Sequence, residues 1–177
     1  LAHAWDIKHL VIAGDMMHMQ SLAAFAPPWT DEAVSEWAGA NFTLEMKTAR
    51  KMIAQLIEQF SSVDLIMGNH EGRMLRAIGS VLTPETLLRL LSIEHKIRSA
   101  PYYFMKVISA GVPFLIEHPR TTAKYAPGAL ADKYQAHVLM AHSHKLGMVP
   151  SRSGQWQGWH IGCCVDESKL AYASQRH

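Results

Sequence analysis

Two short, mainly apolar runs that contain β-branched residues, each closed by a glycine, constrain the fold of this chain most strongly. His9 to Ala13 has the sequence HLVIA before Gly14, and Val63 to Met67 has the sequence VDLIM before Gly68. Runs of this length and composition are typical of fully buried strands in a parallel sheet. Between them, apolar residues recur at helical spacing, which predicts an amphipathic helix that begins between positions 30 and 43. The three segments together predict a β-α-β unit.

The rest of the chain alternates predicted helices and strands in the same way. Pro27 and Pro28 interrupt the chain before the first helix, so Met16 to Trp29 is expected to be a loop or a lid. The further predicted elements are a helix over Pro84 to Ile93 capped by Thr83, a hairpin of Tyr102 to Ser109 with Val112 to Glu117, a helix over Ala129 to Gln135, a buried strand over His137 to Ala141, and a last hairpin of Met148 to Ser151 with Gln155 to Ile161.

Length and composition fit one α/β domain over residues 1–177. The chain is 49% apolar and 18% charged, and a domain of this length buries enough surface to fold without disulfides. A net charge of +2 without any Lys/Arg block gives no indication of a nucleic-acid partner. No apolar run approaches the roughly 20 residues that span a bilayer, so no membrane partner is expected. The adjacent Cys163 and Cys164 predict reduced thiols and a cytoplasmic location.

Polar residues of metal-ligand type follow each of four predicted strands. They are Asp15 and His18, then Asn69, His70 and Glu71, then His118, and finally His142 and His144. Ligands of open α/β sheets bind at the carboxyl ends of the strands, so these side chains are expected to converge on one crevice. A single histidine is more often a structural or solvated residue, but four strand ends with the same chemistry predict a site.

These segments resemble the calcineurin-like metallophosphoesterase family, whose motifs run D-x-H, G-D-x-x-D/H, G-N-H-D/E, a single histidine after a strand, and G-H-x-H. Four of the five are present in order: GDMMH from Gly14, GNHE from Gly68, IEH ending at His118, and AHSH from Ala141, where the family usually has glycine. The resemblance implies an αββα sandwich of two stacked mixed β-sheets flanked by helices. It also implies a metal-dependent phosphoesterase, whether a phosphatase, a phosphodiesterase or a nuclease, that acts on a phosphate-ester substrate.

The resemblance also implies roles for individual residues. Asp15 would bridge two divalent transition metals (Mn, Fe or Zn), with Asn69, His118 and His142 at the second metal and His144 at the first. Two such metals about 3.5–4 Å apart can activate a hydroxide for in-line attack at phosphorus. His70 would protonate the leaving oxygen or steady the phosphoryl group, and Arg73 would pair with that group or be a solvated arginine of the first helical turn.

Five further residues have two alternative positions or no direct contact with metal in this scheme. His18 would lie beside the metals without binding them. Glu71 would either hydrogen-bond to the metal-binding segments without binding metal itself or lie at the surface. Trp156, Trp159 and His160 would border the pocket or pack within the last hairpin. The remaining histidines, at positions 3, 9, 95, 137 and 177, have no partner spacing and are expected to be structural or exposed.

The family's first motif, D-x-H, does not occur ahead of Gly14. We therefore expect the sequence to be a segment that lacks the family's first strand, with the first metal site weakened by the loss of two ligands. Two alternatives remain open at this stage. One is a catalytically impaired protein-binding scaffold with this fold, and the other is a mononuclear or structural metal site.

Overall fold

The computed structural model describes residues 6–19, 32–77, 83–91, 97–100 and 103–166 of the chain, and it has an α/β fold with two sheets. The strands are β1 (His9–Ile12), β2 (Ser62–Ile66), β3 (Ile97–Ala100), β4 (Phe104–Ser109), β5 (Val112–Glu117), β6 (His137–Met140), β7 (Leu146–Pro150) and β8 (Gln157–Ile161). The helices are α1 (Glu32–Gln59), α2 (Glu71–Ala77), α3 (Pro84–Leu90) and α4 (Ala126–Tyr134). The described residues contain no helix of the length and apolar content needed to cross a membrane.

The first sheet has three parallel strands in the order β1-β2-β3. Helix α1 connects β1 to β2, which confirms the predicted β-α-β unit, and it begins within the predicted interval. Met46, Ala49 and Ile53 of α1 pack in one core cluster with Val63 and Leu65 of β2. Strand β3 was not predicted, because its sequence IRSA combines a charged and a small polar residue and lacks the apolar run that marks β1 and β2.

The second sheet has five strands in the order β4-β5-β6-β8-β7. The β4–β5 and β7–β8 pairs are antiparallel hairpins, as predicted, while β5, β6 and β8 lie parallel to one another. Helix α4 covers one face, where Ala131 packs with Leu115, Val138 and Met140. The parallel arrangement brings the carboxyl ends of β5, β6 and β8 to one edge of the sheet.

Several element boundaries differ from the predictions by a few residues. Helix α4 begins three residues before the predicted Ala129, because Pro127 has the fixed φ suited to a first helical turn. Helix α3 has the predicted cap, with Thr83 accepting from the Thr86 N–H, but it ends at Leu90. Strand β4 begins at Phe104, whereas its predicted first residue, at position 102, lies outside the described residues. The predicted end of helix α3, at position 93, also lies outside them. Of the predicted loop, residues 16–19 have neither helix nor strand, and residues 20–29 lie outside the described residues.

Candidate metal centre

The carboxyl ends of strands from both sheets meet around the ring of His118, which directly follows β5. Its Nδ1 lies 2.8 Å from the carbonyl oxygen of Ala13, the residue after β1. Its Nε2 lies 3.0 Å from Oδ1 of Asn69, which follows β2, and 3.2 Å from Oδ2 of Asp15. The backbone N–H of Ala141, after β6, donates to the Glu117 carbonyl at 2.9 Å, so the end of β6 lies beside the same position.

Three side chains form a group of metal-ligand type at this point: Asp15, His118 and His142. One ligand atom from each lies within 4.8 Å of the others, and the rings of His118 and His142 are 5.0 Å apart between centroids. Asn69 adds an amide oxygen through its contact with His118. A carboxylate, two imidazoles and an amide oxygen suit a borderline divalent ion such as Zn, Mn or Fe, so the donor set fits the metal that the family resemblance implies.

The hydrogen bonds of His118 identify which ring nitrogen faces the site. A carbonyl oxygen can only accept, so Nδ1 carries the hydrogen that is donated to Ala13. In the neutral ring, Nε2 then directs a lone pair toward two oxygens, Oδ1 of Asn69 and Oδ2 of Asp15, neither of which can donate to it. This arrangement calls for a cation between the three atoms, either a proton or a metal ion. Metal-binding histidines commonly donate their other N–H to a backbone carbonyl in this way.

The ionisation of this group is consistent with positive charge at that point. Burial opposes protonation of His118, but its hydrogen bond and charge interaction with Asp15 outweigh burial and raise its pKa. Burial likewise opposes ionisation of Asp15, yet the hydrogen bond from His118 and the nearby imidazoles lower its pKa. For His142, burial and the charge of His118 lower the pKa, although Asp15 opposes them. The site therefore favours an ionised carboxylate beside neutral His142.

Glu71 holds the backbone around Asp15. Its carboxylate is fully buried, with 0% of the residue exposed, and it accepts the N–H groups of Asp15, Met17 and Gly68 at 2.9–3.0 Å. Burial raises its pKa, against the effect of the bond from Met17. Of the two positions expected for Glu71, the surface one is therefore wrong, and the residue supports the loop that carries Asp15.

Gly68 makes this close approach of the two loops possible. A Cβ atom at Gly68 would lie 2.2 Å from Oδ1 of Asp15 and 2.4 Å from its backbone nitrogen. No side chain fits in that space, so the glycine of the GNHE segment allows the end of β1 to contact the end of β2. Oδ1 of Asp15 in turn accepts the N–H of His70 at 3.0 Å.

His70 lies beside the three-residue group, with Nε2 3.8 Å from Oδ2 of Asp15. Burial lowers its pKa to about 4, reinforced by Arg73 and opposed by the Asp15 carboxylate. The ring is therefore neutral near pH 7 in the metal-free protein, which suits a hydrogen-bond donor. His18, which is exposed, contacts His70 edge-on at 5.3 Å, and Arg73 Nη1 donates to the His18 carbonyl at 2.8 Å.

His142 and His144 lie in a strained loop, residues 141–145, with left-handed φ angles of 70° and 57°. The group around Asp15 does not include His144, although its charge acts on His142. Ser143, between them, contacts His160 of β8, since Oγ and Nδ1 are 2.7 Å apart. The sequence placed His160 only at the border of the pocket or within the last hairpin, and its spacing from the motif gives no signal for a contact with Ser143.

Trp156 and Trp159 pack against their neighbours in the second sheet, which agrees with the expectation that they pack within the last hairpin. Trp156 packs on the cluster around Val138, and the rings of Trp156 and Trp159 both contact His137. His9 pairs with the buried carboxylate of Asp64, and His137 Nδ1 accepts from the Gln157 N–H. Positions 3, 95 and 177 lie outside the described residues.

No protein-family model matches the chain, and comparisons with curated proteins and with solved structures found no match. The chemistry of the residues assembled at the ends of β1, β2, β5 and β6 is therefore what indicates a function.

Proposed function

We propose that the chain is a metal-dependent phosphoesterase of the calcineurin-like metallophosphoesterase type, which hydrolyses a phosphomonoester or phosphodiester. One observation carries the proposal: Nε2 of His118 faces oxygens of both Asp15 and Asn69 while Nδ1 donates to Ala13, with His142 beside them. With Nδ1 donating to Ala13, Nε2 needs a proton or a metal ion between it and the two oxygens, and His142 supplies the additional ligand atom that a metal ion would use.

In this proposal Asp15, Asn69, His118 and His142 hold one divalent ion. A second, weaker position uses Asp15 together with His144, which lies two residues beyond His142. The bound ion supplies Lewis acidity, which makes water a stronger acid near neutral pH and offsets negative charge on phosphoryl oxygens. The two sheets form the two layers of the αββα sandwich, and the exposed thiols of Cys163 and Cys164 fit a reducing cytoplasmic compartment.

His70 and Arg73 act on the phosphate ester. The neutral His70 ring presents an N–H to a phosphoryl or leaving-group oxygen, and a bound phosphate dianion raises its tendency to hold a second proton. Arg73 brings a positive charge next to His70, where its charge already acts on the ring. Glu71 and Gly68 keep Asp15 at a fixed distance from His118 through the backbone bonds described above.

The test combines metal binding with turnover of two simple esters. Purified protein is stripped with chelator, titrated with Mn²⁺ or Zn²⁺, and assayed on p-nitrophenyl phosphate and on bis(p-nitrophenyl) phosphate. We expect turnover that depends on metal and is lost with chelator, and His118→Ala should abolish both binding and turnover. His137→Ala is the matched control, because it removes a partly buried imidazole from the amino end of β6. Wild-type protein that binds no metal would refute the proposal.

A second candidate function is a metal-binding interaction scaffold with the same fold. It is favoured by the composition of the site, since among the described residues the group that can hold an ion has three members and excludes His144. The same experiment separates the candidates. Metal bound by the wild type without turnover of either ester would favour the scaffold, whereas metal-dependent turnover would exclude it.

A further inference from the structure

The buried ring of His160, in β8, has a hydrogen-bond partner at each nitrogen. Only 4% of the residue is exposed; Nδ1 lies 2.7 Å from Oγ of Ser143, and Nε2 lies 2.9 Å from the carbonyl oxygen of Lys124. The carbonyl can only accept, so Nε2 carries the hydrogen, and Nδ1 of the neutral ring accepts from the Ser143 hydroxyl. Both nitrogens are occupied by protein groups, so His160 is not itself a metal ligand.

The two partners of His160 belong to the two segments that carry the histidines of the metal site. Ser143 is the residue after His142, and Lys124 lies in the segment that runs from His118 to α4. One further bond holds the same two segments together, because Lys145 Nζ donates to the Thr122 carbonyl at 2.7 Å. The Gly162 N–H, directly after β8, also donates to the Lys145 carbonyl at 2.7 Å. The His160 ring is thus the buried link between the loop after β5 and the loop after β6.

The loop after β6 needs such a link, because its backbone is in an unfavourable conformation. His142 and His144 both have positive φ, which for residues with a Cβ is sparsely populated and persists only where the surroundings impose it. The bond from Ser143 to His160 acts on the residue between these two. Without it, the loop can relax toward ordinary φ values and carry the His142 ring away from His118.

We propose that His160 is a positioning residue that sets the separation of the metal ligands His118 and His142 by tying Ser143 to Lys124. The inference rests on the proposed metal site and adds to it a residue outside every motif of the chain. If His160 has this role, its loss should lower metal affinity more than it lowers the stability of the metal-free protein. Replacing a residue that orients a metal ligand through hydrogen bonds typically lowers metal affinity about 10–100-fold.

The test uses four variants of the purified chain. His160→Gln keeps a donor that can reach Lys124 but removes the acceptor for Ser143, and Ser143→Ala removes the same bond from its other partner. Ser143→Thr keeps the hydroxyl. His137→Gln is the control, because it replaces another histidine of the same sheet, bonded through Nδ1 to Gln157, at the opposite end of β6. Affinity for Co²⁺ is measured by titration of chelator-stripped protein, and the visible spectrum of bound Co²⁺ reports the geometry of its ligands.

We expect His160→Gln and Ser143→Ala to lower Co²⁺ affinity about 10–100-fold and to alter the spectrum, with Ser143→Thr and His137→Gln close to wild type. If His160→Gln does not fold, the comparison of Ser143→Ala with Ser143→Thr decides the question. Wild-type affinity and spectrum in Ser143→Ala, or an equal loss in His137→Gln, would overturn the role of His160. Wild-type protein that binds no Co²⁺ would instead refute the proposed metal site, and with it the inference.

Discussion

The two sheets contribute to the site in different ways. The first sheet supplies oxygen atoms, from Asp15 and Asn69, and fixes them through backbone hydrogen bonds to the buried Glu71. The second sheet supplies imidazole nitrogens, from His118 and His142, and fixes them through ring and side-chain bonds to groups distant in sequence. The oxygen side is held mainly by a single side chain, Glu71, whereas the nitrogen side depends on separate bonds made by several residues.

The difference has an energetic consequence. The fully buried carboxylate of Glu71 satisfies three backbone donors at once, so its removal leaves three N–H groups without that partner. On the nitrogen side each bond involves a single pair of groups: His118 with the Ala13 carbonyl, and Ser143 with His160. Changes on the oxygen side should therefore reduce the stability of the fold, while single changes on the nitrogen side should mainly reduce metal affinity.

Replacement of Glu71 should have the largest effect. Glu71→Ala leaves the N–H groups of Asp15, Met17 and Gly68 unsatisfied, at about 1–3 kcal/mol for each group. Because the Asp15 N–H is only partly buried, we expect the total loss of unfolding free energy to lie in the lower part of that range, at about 3–6 kcal/mol. Urea unfolding of metal-free protein measures this loss. Glu85→Ala, at an exposed acid of α3, is the control and should change stability by less than about 0.5 kcal/mol. A Glu71→Ala protein as stable as Ser143→Ala would break the contrast between the two sheets.

The next effect is on catalysis at the oxygen side. His70→Ala removes a ring that is held beside Asp15 but that belongs to no ligand set, so metal binding should persist while turnover falls about 10²–10⁴-fold. Turnover of p-nitrophenyl phosphate at saturating Mn²⁺ measures the loss, and the metal content of the dialysed protein is the control. Turnover equal to that of the wild type would remove His70 from the mechanism. Loss of metal would instead make it a part of the binding site.

The same contrast explains how much of the molecule could be predicted from sequence. The β-α-β unit, both hairpins and the meeting of Asp15, Asn69, His118 and His142 follow from apolar runs and from short motifs at strand ends. The burial of Glu71 was only one of two expectations, because its three partners become neighbours only when β1 and β2 pair. The role of His160 had no sequence signal, since its link to Ser143 depends on β8 lying next to β6.

A smaller effect should appear in the pH dependence of stability. The pKa of His70 is about 4 in the folded protein against an ordinary value of 6.5, so the unfolded chain binds more protons between these values. The contribution of His70 to stability is therefore complete above pH 6.5 and is lost as the pH falls toward 4. We expect the wild type to lose about 1–2 kcal/mol more than His70→Gln between pH 7 and pH 5, since partial exposure reduces the full effect of the shift. Urea unfolding with chelator present measures the difference, and parallel pH profiles would contradict it.

The smallest predicted effect is on metal affinity when the second sheet is destabilised at the end that lies away from the metal site. Gly111, at the tip of the β4–β5 hairpin, has a φ of 80°, and Ala110 before it also has positive φ, as a tight two-residue hairpin turn requires. A Cβ at Gly111 would meet no atom within 4 Å, so the cost of Gly111→Ala is backbone strain alone, about 1–2 kcal/mol. The tip lies at the opposite end of β5 from His118, and Co²⁺ affinity should therefore stay within about twofold of wild type while the urea midpoint falls. If affinity fell as far as in Ser143→Ala, the nitrogen ligands would depend on the stability of the whole sheet, and the link through His160 would not be their specific support.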